Sequence, residues 1–155
     1  MKIVFLDAES LGSDADYSEF EQLGDVVKYP RTSPEEVPER IADADVIVVN
    51  KVPVNEATIS DARSLKLICV SATGTNNLDK DYLKHRGIEW RNAAGYSTES
   101  VAQHTFAMLF YLMEDLRYYD DYVKNGSYAS SSLFTHFGIP FHELGSVTWG
   151  ILGLG

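Results

Sequence analysis

The sequence predicts an α/β fold in which a flavodoxin-like, parallel five-stranded domain is followed by the truncated start of a second α/β domain. Two observations carry this prediction. Short apolar runs alternate with helical patterns through residues 1–92, and such alternation is typical of parallel strands joined by right-handed crossovers. A long helical pattern follows, and after it another apolar run ends in Gly153-Leu154-Gly155.

The five predicted strands are short, rich in β-branched or aromatic residues, and bounded by polar residues, glycine or proline. Three of them are nearly uninterrupted apolar runs, which favours a parallel sheet buried on both faces. The strands are predicted at residues 3–6, 26–29, 46–49, 67–70 and 88–91.

Helices are predicted between these strands from the signals at their ends. Ser33 precedes Pro34 and two glutamates, a pattern of N-cap, first-turn proline and first-turn acids. Asp79 is predicted to cap another helix, which should end before Gly87. The helical segments are predicted at residues 18–23, 33–42, 55–62 and 79–86.

The remainder of the chain has a different pattern. Residues 97–124 contain no glycine or proline and have apolar residues at helical spacing, so they predict one long helix ending near Gly126. The polar stretch 127–132 is predicted as a loop, and residues 147–152 as the first strand of the second domain. The predicted division is therefore into residues 1–95 and residues 96–155.

Composition disfavours several classes of function. The net charge is -10 at pH 7 and basic residues do not cluster, which disfavours a nucleic-acid-binding face. No apolar run approaches the roughly 18 residues of a membrane span, and the N-terminus lacks the pattern of a signal peptide. The single cysteine, Cys69, lies in an apolar run, so we expect it to be buried and reduced in a cytoplasmic protein.

The glycines at the end of the chain match half of a dinucleotide-binding fingerprint. Gly153 would make the tight turn after a strand, and Gly155 would let the backbone approach a pyrophosphate. A plain turn explains two glycines equally well, so the pair alone leaves both interpretations open.

Four stretches, in this order and spacing, resemble the D-isomer-specific 2-hydroxyacid dehydrogenases, and within them the glycerate dehydrogenase (hydroxypyruvate reductase) branch. The resemblance covers essentially the whole chain, and its two middle stretches are the most specific. The stretches are VNKVP at 49–53, SATGTNNLD at 71–79, NAAGYSTESVAQHT at 92–105, and EL followed by TWGILGLG at 143–155.

The resemblance implies a flavodoxin-like substrate-binding domain at residues 1–95 and the start of a Rossmann NAD-binding domain at residues 96–155. The active site would be the cleft between the two domains. Hydride would pass between NAD, or NADP, and C2 of a small 2-oxo acid such as hydroxypyruvate or glyoxylate. The family's catalytic arginine, glutamate and histidine follow the glycine fingerprint, so we expect none of the catalytic residues within residues 1–155.

The predicted substrate-binding loop follows the fourth strand, at the carboxyl edge where ligands of parallel sheets bind. It contains Ala72, Thr73 and Gly74. A glycine exposes backbone N–H groups, and adjacent amides can hold a carboxylate as an anion nest. The resemblance implies that Thr73 also contacts the cofactor. A simple turn leading to the Asp79 cap is the alternative.

Further site residues are implied by the resemblance, and Lys51 also follows the third predicted strand, at a carboxyl end of the sheet. Lys51 and Tyr96 would face the substrate, and Val101 would lie near the nicotinamide, with Gly153 and Gly155 binding the cofactor. The alternatives are a solvated loop lysine, a tyrosine that covers a hinge, and an ordinary core valine. No metal site is predicted, because the histidines lack the further ligands that a metal requires.

An association surface is also predicted. Large apolar side chains lie on more than one side of the long helix and crowd the segment after it, and exposed patches of this kind mark interfaces. Related dehydrogenases are dimers, so we expect a two-fold homodimer. The side chains are Phe106, Phe110, Tyr111, Met113, Tyr118, Leu133, Phe134, Phe137, Ile139 and Phe141.

Two other classes of function are weighed against the dehydrogenase. A receiver-type signalling domain is also flavodoxin-like, but its phosphoacceptor aspartate should follow the third strand, where this chain has Asn50. A non-catalytic relative of the dehydrogenases, using the fold as a binding scaffold, stays open.

Overall fold

The computed structural model describes residues 1–153. The chain divides into two compact units, of which the first is Met1–Tyr96 and the second begins at Ser97. Among residues 1–153, no helix is both long enough and apolar enough to cross a bilayer.

The first unit is a five-stranded parallel sheet with the strand order β2-β1-β3-β4-β5. This is the flavodoxin-like order, so the predicted fold class is confirmed. β3 and β4 have the predicted bounds, and the other three strands differ from the prediction by one residue at each end. The strands are β1 (Lys2–Phe5), β2 (Asp25–Lys28), β3 (Val46–Val49), β4 (Leu67–Val70) and β5 (Glu89–Asn92).

The helices of the first unit lie in the predicted segments, but the first three of them end two or three residues earlier than predicted. Ser33 and Glu36 form a capping box ahead of the second helix. The Asp79 carboxylate accepts the N–H of Tyr82 at 3.0 Å, and Gly87 ends that helix in the left-handed region. The helices are α1 (Ser18–Glu21), α2 (Val37–Arg40), α3 (Glu56–Ile59) and α4 (Lys80–Arg86), with 3-10 turns at Ala8–Leu11 and Pro34–Glu36.

Both faces of the sheet contribute to the core. On one face, strand residues such as Val4 and Ile47 pack in the larger apolar cluster with Ile59 and Leu83. On the other face, Phe5 makes edge-on contacts with the rings of Tyr17 and Phe20, at 4.9 and 5.1 Å between centroids. Each fully buried aliphatic side chain contributes about 1.5–3 kcal/mol, so the sheet is held from both sides.

Cys69 is only half-buried, so the prediction of a buried thiol is wrong in degree. The residue lies on β4 beside Arg91 of the edge strand β5, and Arg91 is exposed. Burial still raises the pKa of the Cys69 thiol, although the nearby Arg91 guanidinium lowers it by a smaller amount.

Between Ser97 and Gly153 the second unit forms the α-helices α5 (Thr98–Met113), α6 (Leu116–Lys124) and α7 (Ser127–Ser130). The prediction of one long helix from residue 97 to residue 124 is wrong, because Asp115 adopts a left-handed conformation with φ of 48°. Aspartate enters this region more readily than most residues, without the glycine or proline that usually signals a break. The predicted loop at 127–132 contains the one-turn helix α7.

The predicted strand at 147–152 is not formed. A 3-10 turn occupies Leu144–Ser146, and residues 147–153 have no regular secondary structure. A strand needs a neighbour to receive its backbone hydrogen bonds, and the described residues supply none there. Apolar sequence by itself therefore does not produce a strand at this position.

Candidate functional site

The loops that leave β3 and β4 enclose a cavity of about 650 Å³. β3 and β4 are parallel neighbours, so both loops lie at the carboxyl edge of the sheet. Lys51 and Gly74, which sequence analysis assigned to one site, both line this cavity. Its lining residues are Lys51, Pro53, Val54, Asn55, Gly74, Asn76, Asn77, Leu78 and Asp79.

Gly74 lies in open space on the cavity wall. A Cβ atom built on it would meet no other atom within 4 Å, and its φ is outside the range that favours glycine. Within the described part of the chain its N–H makes no hydrogen bond. Neither backbone conformation nor packing requires glycine here, so the consequence of its missing side chain is an accessible backbone amide.

Ala72 and Thr73 connect this loop to the end of β5. Ala72 is buried, and its carbonyl oxygen accepts the N–H of Ala93 at 3.2 Å. The Thr73 hydroxyl donates to the Ala93 carbonyl at 3.3 Å, and the Asn92 side-chain amide donates to the Thr73 carbonyl at 2.8 Å. Neither Ala72 nor Thr73 is among the cavity-lining residues, and their bonds fix the loop that carries Gly74.

Lys51 supplies the positive charge of the cavity. Its side chain is exposed, and its ammonium group forms no ion pair with any residue from 1 to 153. The Asp79 carboxylate also lines the cavity, but it accepts the Tyr82 N–H as a helix cap. An unpaired ammonium and a backbone amide without a hydrogen-bond partner are both groups that can donate to a carboxylate.

Asn77 joins the two loops, a role that sequence analysis did not assign. Its side-chain amide donates to the Val52 carbonyl at 3.0 Å, and its backbone carbonyl accepts the Val54 N–H at 2.8 Å. The Asp79 N–H in turn donates to the Val54 carbonyl at 2.9 Å. Asn77 lies within the quoted SATGTNNLD stretch, but spacing gives no indication of a partner 25 residues earlier in the chain.

Asp7 is the second contributor that sequence analysis missed. It follows β1, and its carboxylate accepts backbone N–H groups from the start of the loop after β3. The side-chain oxygen of Asn50 is buried and has no hydrogen-bond partner among the described residues. The residue after β3 is thus a buried carboxamide, which cannot accept a phosphoryl group as the aspartate of a receiver domain does.

Tyr96, Val101 and Gly153 are the other predicted site residues that the structure describes. Tyr96, the last residue of the first unit, is 69% exposed. Val101 lies in the first turn of α5 and is 60% exposed. Gly153 adopts a φ of 100°, which suits a tight turn. Gly155 is outside the described residues.

The histidines do not indicate a metal site. Across residues 1–153, no three histidine, cysteine, aspartate or glutamate side chains are grouped as metal ligands would be. His136 instead stacks on Tyr122 with 3.7 Å between ring centroids, and its Nε2 lies 2.8 Å from the Tyr118 hydroxyl oxygen.

The sheet and the cavity at its carboxyl edge define a flavodoxin-like α/β protein. A match to a protein family defines the class of this chain more narrowly than its fold does. The family model described as "D-isomer specific 2-hydroxyacid dehydrogenase, catalytic domain" matches residues 3–146. The chain belongs to this family.

Individual relatives agree with the family assignment. A glycerate dehydrogenase of Methylorubrum extorquens is 37% identical over 99% of this chain and 49% of its own length. A hydroxypyruvate reductase of Blautia hydrogenotrophica is 34% identical over 100% of this chain and 49% of its own length. The chain thus spans about half the length of these curated relatives.

A solved structure of an Aquifex aeolicus D-lactate dehydrogenase, complexed with NAD and lactic acid, superposes with a TM-score of 0.65. It is 30% identical and covers 84% of this chain, which in turn covers 39% of that protein.

Proposed function

We propose that this chain is the substrate-side part of an NAD(P)-dependent oxidoreductase that acts on the CH–OH group of a small D-2-hydroxy acid. In the reductive direction its substrates would be 2-oxo acids such as hydroxypyruvate or glyoxylate. The observation that carries the proposal is the cavity lined by both Gly74, whose amide makes no hydrogen bond among the described residues, and Lys51, whose ammonium makes no ion pair among them.

The proposed role of this cavity is to bind and orient the substrate carboxylate. An amide N–H and an ammonium group both donate to carboxylate oxygens, and charge-assisted hydrogen bonds are the stronger kind. With the carboxylate held, C2 has a fixed position for hydride transfer, and orientation of this kind accounts for much of enzymatic rate enhancement. We place the arginine, glutamate and histidine of the chemical step outside residues 1–155.

The described residues do not form a dinucleotide cradle. Gly153 has the conformation of a tight turn, but residues 147–152, which precede it, form no strand. We therefore derive no catalytic step through the cofactor from this chain. Binding of NAD or NADP, with contacts from Thr73, Val101, Gly153 and Gly155, remains part of the proposal.

Hydroxypyruvate and dihydroxyacetone provide a matched pair of ligands for the test. Both carry a ketone next to a hydroxymethyl group, but hydroxypyruvate has a carboxylate where dihydroxyacetone has a second hydroxymethyl group. We expect hydroxypyruvate to shift the backbone amide NMR resonances of Gly74 and Lys51 at millimolar concentration, and dihydroxyacetone to leave them unchanged. Equal responses to both ligands, or shifts confined to other residues, would show that this cavity does not bind the carboxylate.

The same proposal includes the domain roles and the cellular setting. Residues 1–95 would form the substrate-binding domain of a cytoplasmic enzyme, and residues 96–155 would begin its nucleotide-binding domain. Expression of residues 1–95 alone tests the first assignment, since the sheet should fold and respond to hydroxypyruvate without the second unit.

We also propose that the second unit forms a two-fold homodimer. Its helices and the following segment expose large apolar side chains, including Leu112 at 73%, Phe134 at 89% and Phe137 at 90%. A stable interface would bury more than about 1,000 Å² in total. Sedimentation equilibrium at micromolar concentration should give twice the monomer mass, and Leu112→Glu should give monomers. A monomeric wild-type chain would refute this assembly.

A further inference from the structure

We infer that Asp7 is a positioning residue for the anion-binding cavity: its carboxylate fixes the loop that carries Lys51. The inference rests on the proposed function, because it explains how the proposed cavity keeps its shape. Asp7 follows β1, whereas the cavity is built from the loops after β3 and β4.

The Asp7 carboxylate binds the backbone of the loop that follows β3. Both of its oxygens accept the Asn50 N–H at 2.8 Å, and one oxygen also accepts the Lys51 N–H at 2.7 Å. The Val52 N–H lies 3.4 Å from the same oxygen. Successive amides that converge on one carboxylate form an anion nest occupied by the chain's own side chain.

Asp7 is itself held firmly. The preceding residue, Leu6, is fully buried and donates its N–H to the Val48 carbonyl of β3 at 3.0 Å. The following residue, Ala8, donates to the Tyr29 carbonyl at 2.9 Å, next to β2. Backbone bonds to both neighbours of β1 therefore flank Asp7, so its carboxylate is a fixed point for a loop that has no regular structure.

The loop after β3 is held at both ends by this arrangement. Asp7 binds the amides of its first residues, and Asn77 donates to the Val52 carbonyl at 3.0 Å. Lys51 lies between these two attachments, and its ammonium group is the free end. Without Asp7, residues 50–52 would keep only the hydrogen bond from the Asn77 side chain to the Val52 carbonyl, and Lys51 would sample more positions.

The direction in which Asp7→Asn changes anion affinity shows whether Asp7 acts by positioning the loop or by its negative charge. Asp7 is a negative charge close to a cavity that is proposed to bind an anion. If its field were its main influence, Asp7→Asn would remove a repulsion and tighten anion binding. If Asp7 positions the loop, the same substitution weakens binding, because a neutral amide accepts backbone N–H groups less strongly than a carboxylate does.

Asp45 provides a matched control at the opposite edge of the sheet. Its carboxylate accepts the Lys2 N–H at 2.9 Å and pairs with Lys66 at 2.8 Å, just before β3 begins. Asp45→Asn removes the same kind of carboxylate–amide attachment, but at the amino edge, away from the cavity. Asp45→Asn therefore controls for a general loss of stability, because it leaves the loop that carries Lys51 unchanged.

The experiment measures two quantities in the wild-type chain, Asp7→Asn and Asp45→Asn, after circular dichroism has shown that each is folded. The first is the Kd for hydroxypyruvate from amide chemical shifts. The second is the hydrogen-exchange rate of the Asn50 and Lys51 amides. We expect Asp7→Asn to raise the Kd by about tenfold or more and to speed exchange at both amides by a similar factor, with neither change in Asp45→Asn.

Unchanged or tighter binding by Asp7→Asn would overturn the inference, as would unchanged exchange at the two amides. Absence of hydroxypyruvate binding by the wild-type chain would instead overturn the proposed function, and the exchange rates would then decide separately whether Asp7 holds the loop. If Asp7→Asn does not fold, the wild-type chain supplies the test. A scalar coupling across the hydrogen bond from the Lys51 amide nitrogen to the Asp7 carboxylate carbon supports the inference, and its absence overturns it.

Discussion

Replacement of Gly74 by valine should separate ligand binding from folding more cleanly than any other change at the cavity. The glycine has an ordinary φ, and a Cβ atom there would meet nothing within 4 Å. The Cβ atom of a valine therefore fits the folded chain without displacing a neighbour. We expect the free energy of unfolding to change by no more than about 0.5 kcal/mol, the usual range for a tolerated surface position.

The effect on ligand binding should be much larger. A branched side chain on Gly74 would cover the backbone amide that we propose binds the substrate carboxylate. A hydrogen bond to a charged group contributes about 1.5–3 kcal/mol, and each 1.4 kcal/mol corresponds to a factor of about ten in affinity. Loss of this one bond should therefore raise the Kd for hydroxypyruvate by about 10- to 100-fold.

The assay pairs urea unfolding with NMR titration of hydroxypyruvate. Gly145→Val is the control, because it adds the same side chain at another glycine with nothing within 4 Å, in the second unit. An unchanged Kd in Gly74→Val would remove the β4 loop from the binding site. A large loss of stability would instead show that glycine is required there for folding, contrary to the open space around it.

Four other outcomes are expected. Lys51→Met should weaken hydroxypyruvate binding at least several-fold without lowering the urea midpoint; unchanged affinity would leave Lys51 a solvated loop residue. The Lys66 ammonium and the Lys2 N–H lower the pKa of Asp45, so the stability it contributes is present above about pH 4. That contribution is lost as the pH falls through the folded pKa of Asp45, so the deficit of Asp45→Asn at pH 7 should shrink as the pH falls below about 4. Burial raises the pKa of Cys69, so iodoacetamide at pH 8 should alkylate the native chain more slowly than the urea-unfolded chain, and equal rates would refute this. The 155-residue chain should reduce neither hydroxypyruvate nor glyoxylate with NADH or NADPH, because the acid–base residues are proposed to lie elsewhere; turnover above background would contradict that assignment.

Local signals in the sequence were sufficient to predict a strand or a helix end wherever a segment determines its own structure. The apolar runs at residues 46–49 and 67–70 became β3 and β4 with the predicted bounds. Ser33, Asp79 and Gly87 cap their helices as predicted. The carboxyl edge of the sheet follows from the βα alternation, so Lys51 and Gly74 could be placed near one another before any geometry was known.

Two predictions failed where a segment depends on more than its own sequence. Asp115 interrupts the helical pattern with a left-handed residue that carries none of the usual breaking signals. Residues 147–152 have the composition of a strand, but the described residues offer no neighbouring strand to pair with it. Helical periodicity and β propensity are weak preferences. Whether a helix continues or a strand forms depends on the hydrogen-bond partners that the backbone finds.

The sequence by itself determined the alternation of strands and helices, and from it a parallel α/β sheet and the edge at which a ligand would bind, because apolar periodicity and capping residues act over a few neighbouring positions. Only the tertiary structure decided what shapes the cavity. Asp7 reaches the amides of Asn50 and Lys51 from 43 and 44 residues away, and Asn77 reaches Val52 from 25. Contacts at such separations form only after β1, β3 and β4 have paired, since the pairing of the strands brings their carboxyl ends together.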